Sequence, residues 1–183
     1  ELPGWKTDMT RFTSEEQFME KVVERIRANH TQEADYRFGN DVRKYFVDKA
    51  AIELPEAFLK RWLVYANDGK YSAEEVEKEF PGFVQDFKWQ LTRGYLMQKL
   101  GLKVEKQDIQ EAAESYVAYQ YAMYGMGNVP QDMIKRSARN VLDDENQVRR
   151  LQEQVEDNKT IGALREAVTL QTKKISEEKF RAL

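Results

Sequence analysis

Apolar residues recur every three or four positions over the first quarter of the chain, from Thr13 to about Phe46. The repeating residues are Phe18, Val22, Ile26, Phe38, Val42 and Phe46. Because this spacing matches the turn of an α-helix and no proline occurs between Thr13 and Pro55, it predicts one long spine helix over residues 13–50. Thr13 with Glu16 three residues later has the pattern of a capping box, which marks the helix start.

The middle of this predicted helix, residues 27–33, is almost entirely polar. A run of about 30 helical residues is about 45 Å long, which exceeds the width of a small domain. Apolar ends and a polar middle therefore indicate a helix that bridges two packed bodies. The alternative, a break near Asn29 or Gly39 that gives two ordinary helices, is left open.

Pro55 suits the first turn of a second helix, because the missing N–H of proline has no intrahelical partner there. Ser72 and Glu75 then predict a capped short helix that ends at the sequence Phe-Pro-Gly over residues 80–82. The next helix is predicted over residues 83–100, and Gly101 is expected to end it.

Later helices are predicted from residue 107 to 124, from Pro130 to 142, and through a charged segment from residue 143 to about 168. We group these elements into units along the chain. The first arm covers residues 54–100 and the second arm covers residues 104–142, and both are predicted to be helical hairpins. Return helices with a tail follow over residues 143–183.

Composition favours an all-α fold. The chain has 183 residues, of which 41% are hydrophobic and 33% charged, with nine Gly and only four Pro. Turn signals are therefore few and the elements between them are long, and no alternating strand pattern is bounded by turns. Cys is absent, so the sequence offers neither disulfides nor a thiolate metal site.

Residues typical of catalysis are lacking. The single His, His30, lies in the polar middle of the first helix without the spacing of a helical metal site, and is interpreted as solvated. Acidic clusters fall where helices begin, and there the positive end of the helix dipole stabilises carboxylates. We therefore predict no catalytic residue, metal or cofactor, and no enzyme. The net charge of −3 argues against nucleic-acid binding. We also expect no membrane contact, because no apolar run in the sequence is long enough to span a membrane.

Aromatic and methionine side chains are the distinctive feature. Four Tyr and two Met fall within residues 116–126, and a helix cannot turn all of them toward one core. Met is flexible and Tyr tolerates partial exposure, so both suit a surface that accepts many apolar shapes. The ordinary alternative is that these residues fill the hairpin cores. The candidate binding residues are Trp62, Tyr65, Trp89, Met97, Tyr116, Tyr119, Met123, Tyr124 and Met126.

Several segments, taken in order, resemble the C-terminal domain of trigger factor, the ribosome-associated bacterial chaperone. They are Thr-Ser-Glu-Glu-Gln-Phe at 13–18, Ala-Ile-Glu-Leu-Pro-Glu-Ala-Phe-Leu at 51–59, Phe-Lys-Trp-Gln-Leu at 87–91, Leu-Gly-Leu-Lys-Val at 100–104, Asn-Gln-Val-Arg-Arg-Leu at 146–151, and the tail from Gly162-Ala163-Leu164 to Lys179-Phe180. The similarity extends from about Thr13 to the end of the chain. Their order and spacing carry the resemblance, since each motif alone is common.

The resemblance implies an elongated helical body with a long spine helix and two protruding helical-hairpin arms. It further implies a cytoplasmic, ATP-independent chaperone domain that holds unfolded or nascent polypeptides in a cradle. Ribosome contact and prolyl isomerisation belong to upstream domains of that family, so neither is carried over to this chain. Residues 1–12 are accordingly interpreted as a linker from a missing upstream domain.

Two other functions stay open on the sequence alone. One is a helical module that binds one defined protein partner. The other is a periplasmic chaperone domain of the SurA type, which resembles this one in architecture. The sequence also leaves open whether the fragment forms a weak homodimer through exposed apolar residues.

Overall fold

The structure is a computed structural model that describes residues 14–67, 70–170 and 175–181. Every regular element in these ranges is a helix, which confirms the all-α prediction. In chain order the helices are α1 (Glu15–Ala50), α2 (Glu56–Ala66), α3 (Ala73–Leu100), α4 (Lys106–Met123), α5 (Gln131–Leu142), α6 (Glu145–Ala167) and α7 (Glu177–Arg181). None of the helices in these ranges combines the length and apolarity needed to span a membrane.

Helix α1 runs without interruption through Asn29 and Gly39, so the alternative of two shorter helices is wrong. Its cap is Ser14 rather than Thr13, because the Ser14 hydroxyl accepts a hydrogen bond of 3.3 Å from the backbone N–H of Gln17. The helix ends at Ala51 in the left-handed conformation, with φ of 46°. The predicted linker over residues 1–12 lies outside the described residues.

Packing along α1 is uneven. Its buried residues, Gly39, Val42 and Val47, all lie in the C-terminal half, while the polar middle over residues 27–33 is exposed. Only this C-terminal half therefore belongs to the core of the described structure. The idea that the other end of α1 meets a second packed body stays a prediction.

Helix α3 corrects the predicted break at residues 80–82, because Pro81 lies inside a single helix of 28 residues. Proline in a helix interior removes one backbone hydrogen bond and costs about 3 kcal/mol. Phe80 and Val84, on either side of Pro81, are both buried against α2. Burial of these side chains therefore offsets the lost hydrogen bond and keeps the helix continuous. The predicted cap is confirmed, since Ser72 and Glu75 form a reciprocal capping box.

The first helical pair has a core of its own. Leu59 of α2 packs against Phe80 and Val84 of α3, and the partly buried residues Leu54, Leu63, Phe83 and Phe87 surround them. The rings of Phe80 and Phe83 are stacked with centroids 6.0 Å apart. Lys60 pairs with Glu77 at 2.6 Å and so joins the outer edges of the two helices.

The second unit contains three helices rather than a hairpin. Leu151 of α6 completes a core with Ala113 and Val117 of α4 and Ala138 of α5.

The direction of α5 follows from two hydrogen bonds. Gln131, at the start of α5, donates to Glu114 of α4, whereas Ser137, farther along α5, bonds to Tyr121, farther along α4. Because these contacts advance together along both helices, α5 runs in the same general direction as α4. The two helices of the second arm predicted over residues 104–142 therefore do not form a simple hairpin.

A partly buried polar network joins α1, α3 and α6. The Asp157 carboxylate of α6 accepts hydrogen bonds from Arg43, from the indole N–H of Trp89 at 2.8 Å and from Arg93 at 2.6 Å. Arg93, which is 6% exposed, also pairs with Glu156 at 2.7 Å. The Arg43 guanidinium lies 5.7 Å from the centre of the Trp89 ring. This junction fixes the position of the first helical pair relative to the three-helix unit, because α3 belongs to the first and α6 to the second.

The chain exposes a large surface for its mass. It exposes 15155 Å² of surface, whereas a compact monomer of 21.6 kDa exposes about 9,200 Å². Two small cores joined through one junction bury less surface than a single large core would. Many apolar side chains consequently stay at the surface.

A second polar contact joins α6 to the start of α4. Lys159 Nζ donates to Asp108 Oδ2 at 2.5 Å, and the same carboxylate accepts the backbone N–H of Glu105 at 2.7 Å. The hydrogen bond from Lys159, followed by that from Glu105, holds the pKa of Asp108 below its ordinary value. The folded state therefore favours the charged carboxylate.

This lowered pKa predicts how the contact depends on pH. The stabilisation by Asp108 is fully present above the unfolded carboxyl pKa of about 3.9 and is lost as the pH falls through the lower folded pKa. We expect the parent chain to be more stable than Asp108→Asn at neutral pH, and the difference to shrink below about pH 4. Urea unfolding of both proteins across this pH range measures that difference. A stability difference between the two proteins that stays constant down to the lowest pH would show that the charged Asp108 carboxylate does not stabilise this contact.

Candidate functional site

Helix α2 carries apolar side chains on two faces. Leu59 is buried against α3, while Phe58, Trp62 and Tyr65 are exposed, Tyr65 at 84%. The exposed residues are spaced four and three positions apart, so they share one face of the helix. We call these three residues the α2 stripe. An unpartnered apolar stripe of this kind indicates an interaction surface.

A second exposed set lies where α4 ends. Tyr119 is 64% exposed, Met123 69% and Tyr124 77%, and Tyr116 and Met126 are also exposed. We call these five residues the tyrosine–methionine surface. The alternative that the predicted residues of this segment fill the hairpin cores is therefore wrong for these five. Tyr121 alone is partly buried, and its hydroxyl lies 2.9 Å from the Ser137 hydroxyl.

Backbone hydrogen bonds fix the shape of this surface. The N–H of Tyr124 bonds back to α4, that of Gly125 to the carbonyl of Ala122 at 3.0 Å, and that of Met126 to the carbonyl of Tyr121 at 2.9 Å. Gly125 adopts φ of 77°, which glycine accepts without strain. The chain therefore closes the end of α4 on its own backbone.

The electrostatic character of the tyrosine–methionine surface is distinct from the rest of the chain. Residues 115–130 contain no Asp, Glu, Lys or Arg, although a third of the whole chain is charged. The flanking charged residues in sequence are Glu114 and Asp132. In contrast, the α2 stripe is interleaved with Lys60 and Arg61. The two segments thus differ in composition: residues 115–130 carry no charge, whereas charged residues lie between the exposed residues of the α2 stripe.

Two predicted binding residues lie elsewhere. Trp89 is only 6% exposed and donates to Asp157, so its prediction as an exposed binding residue is corrected: it is part of the polar junction. Met97 is partly buried in the last turn of α3, and its carbonyl accepts the N–H of Leu102 at 2.9 Å. Neither residue belongs to the α2 stripe or to the tyrosine–methionine surface.

Some exposed apolar residues were not among the sequence candidates. Phe58 completes the α2 stripe, and Leu91 and Tyr95 are exposed on α3. Helical spacing could have identified Phe58, because it lies on the same face as Trp62 and Tyr65. Leu59 and Leu63 lie on a different face of the helix. Periodicity alone does not tell which of two apolar faces is buried.

Groups suited to chemistry are sparse in the described part of the chain. His30 is exposed, and its Nδ1 lies 3.5 Å from a carboxylate oxygen of Glu33. No cluster of His, Asp and Glu able to hold a metal ion occurs among the described residues. Among the described residues, the exposed apolar side chains are therefore the candidate site.

One known protein family matches most of the chain. The sequence profile of the family described as probable trigger factor, C-terminal domain, matches residues 34–183. No significant match was found among curated proteins or among solved structures. The profile match confirms the resemblance seen in the sequence and favours trigger factor over a SurA-type domain. Since the match covers well over half of the chain, the chain belongs to the trigger factor C-terminal domain family, which is the chaperone part of that protein rather than its prolyl isomerase.

Proposed function

We propose that the chain is an ATP-independent holdase that binds unfolded or nascent polypeptides on separate apolar surfaces. The observation that carries the proposal is the exposed, uncharged tyrosine–methionine surface at the end of α4. Unfolded clients present apolar side chains without a fixed shape, and Met and Tyr adapt to many such shapes. The α2 stripe supplies a second site for the same extended client. Trigger factors act in the cytoplasm, and we propose that this chain binds its clients there as well.

Weak binding at each surface suits a holdase. Burial of apolar area gains about 25 cal/mol per Å², but ordering a flexible client and its side chains offsets much of this gain. Each surface alone therefore binds and releases quickly. Two surfaces that engage one client raise the overall affinity through effective concentration, without a single tight site. The client can leave to fold without nucleotide hydrolysis.

Aggregation of chemically denatured clients tests the proposal. We expect the chain to suppress light scattering of several unrelated clients at near-stoichiometric amounts. The triple variant Tyr119→Ser, Met123→Ser, Tyr124→Ser should bind clients about tenfold more weakly, which corresponds to about 1.4 kcal/mol. The physical reason is the loss of most of the exposed apolar area at the end of α4.

A matched control is available on α1. Tyr36, Tyr45 and Met19 are also exposed, so Tyr36→Ser, Tyr45→Ser, Met19→Ser removes the same residue types away from the proposed surface. This control should retain client suppression. Equal loss in both variants, or no suppression by the parent chain when circular dichroism shows it folded, would contradict the proposal.

The competing function, a module for one defined partner, gives a different result in the same experiment. Such a module would leave unrelated clients to aggregate and would bind one protein with saturable stoichiometry. The absence of charge over residues 115–130 favours the chaperone, because defined partners are selected largely by charge and hydrogen-bond complementarity.

A further inference from the structure

Methionine side chains contribute directly to the tyrosine–methionine surface. Met123 is 69% exposed and Met126 50%, while Met97 of α3 is partly buried. Neither Met123 nor Met126 belongs to the core formed by Ala113, Val117, Ala138 and Leu151. Both thioethers are therefore open to small reagents in water, and a change in their chemistry leaves the core packing in place.

The chain contains no cysteine. In proteins, thiolates are the side chains that react most readily with peroxide, and methionine thioethers are also readily oxidised. Without a thiol in this chain, exposed methionines are its principal targets. Met19 on α1 is 53% exposed and offers a similar target away from the surface.

We propose that Met123 and Met126 form an oxidation site that regulates client binding at the end of α4. This inference rests on the proposed holdase function. A sulfur lone pair attacks one oxygen of a peroxide, the O–O bond breaks, and the other oxygen leaves as water after proton transfer. The sulfur loses two electrons, the peroxide gains them, and each methionine becomes a sulfoxide. A methionine sulfoxide reductase reverses the change with a thiol reductant.

The surroundings of these methionines make the sulfoxide costly for client binding. A sulfoxide oxygen is a strong hydrogen-bond acceptor, and residues 115–130 carry no cationic side chain to pair with it. When an apolar client covers the surface, that oxygen loses hydrogen bonds to water that the apolar client does not replace, which opposes binding. Oxidation therefore weakens client binding while the helices stay folded.

The experiment compares the parent chain with two variants, before and after treatment with hydrogen peroxide. Met123→Leu with Met126→Leu removes both sulfurs from the binding surface, so its client suppression after peroxide is compared with its own untreated level, and Met19→Leu is the control. Peptide mass spectrometry should show one added oxygen on Met123 and on Met126 before Met97 reacts. Peroxide should remove most of the client suppression of the parent chain and of Met19→Leu, and little of that of the double variant. Reductase treatment should restore the parent chain.

The outcomes separate this inference from the proposed function. Oxidation at both methionines with client suppression unchanged would overturn the inference and leave the holdase function standing. Equal loss of suppression in the parent chain and the double variant would also overturn it, since other residues would then be responsible. Failure of the untreated parent chain to suppress aggregation would overturn both. Circular dichroism of each treated protein checks that the loss of suppression is not unfolding.

Discussion

Asp157→Asn is expected to lower the free energy of unfolding by about 2–3 kcal/mol, at or below the range for breaking a fully buried ion pair, because the Asp157 side chain is 16% exposed. The carboxylate accepts hydrogen bonds from Arg43, Trp89 and Arg93, which come from two different helices. Asn has the same shape, but it lacks the negative charge and turns an NH₂ donor toward a guanidinium donor. Arg93 keeps its pair with Glu156, so the loss is not complete.

Urea unfolding followed by circular dichroism measures this change. The control is Asp48→Asn, which removes an exposed carboxylate from the last turn of α1. Surface substitutions of this kind change stability by at most about 0.5 kcal/mol. If the two variants unfold at the same urea concentration, the junction does not hold α1, α3 and α6 together.

Phe80→Ala is expected to loosen the first helical pair by about 3–5 kcal/mol, the usual range for removing a buried Phe side chain. Phe80 is 4% exposed, it stacks with Phe83, and Lys60 Nζ lies 4.8 Å from the centre of its ring. The core around Phe80 and the core around Leu151 share no residue. The damage should therefore stay local, because neither core depends directly on the other.

Amide hydrogen exchange distinguishes local from global loosening. In Phe80→Ala, exchange should accelerate in α2 and the first half of α3, while α4, α5 and the start of α6 keep their protection. Phe58→Ala is the matched control, since Phe58 lies on the same helical pair but is exposed. Uniform acceleration across all helices would show that the chain unfolds as one cooperative unit instead.

Local signals were sufficient to predict many helix ends. Ser72 with Glu75 caps α3, and Gly101, at φ of 66°, ends it. Pro130 directly precedes α5, as its position in the sequence indicated. These features depend on residues within one helical turn of each other, so a single segment of sequence contains the necessary information.

Pro81 and the direction of α5 show where local reasoning fails. A Pro-Gly pair usually ends a helix, yet α3 continues because Phe80 and Val84 are buried on α2. Likewise, a short loop usually joins antiparallel helices, but the contacts of Gln131 with Glu114 and of Ser137 with Tyr121 show otherwise. In both cases packing against another segment outweighs the local preference.

The sequence by itself determined that the chain is helical, that its tyrosines and methionines concentrate over residues 116–126, and that this segment is uncharged. Only the tertiary structure decided that Tyr124 is exposed whereas Trp89 is buried beside Asp157. Both residues are aromatic and lie on or next to helices, so composition and periodicity treat them alike. Burial depends on which distant segment packs over a side chain. Trp89 meets a carboxylate 68 residues away in the chain, and no local pattern encodes that contact.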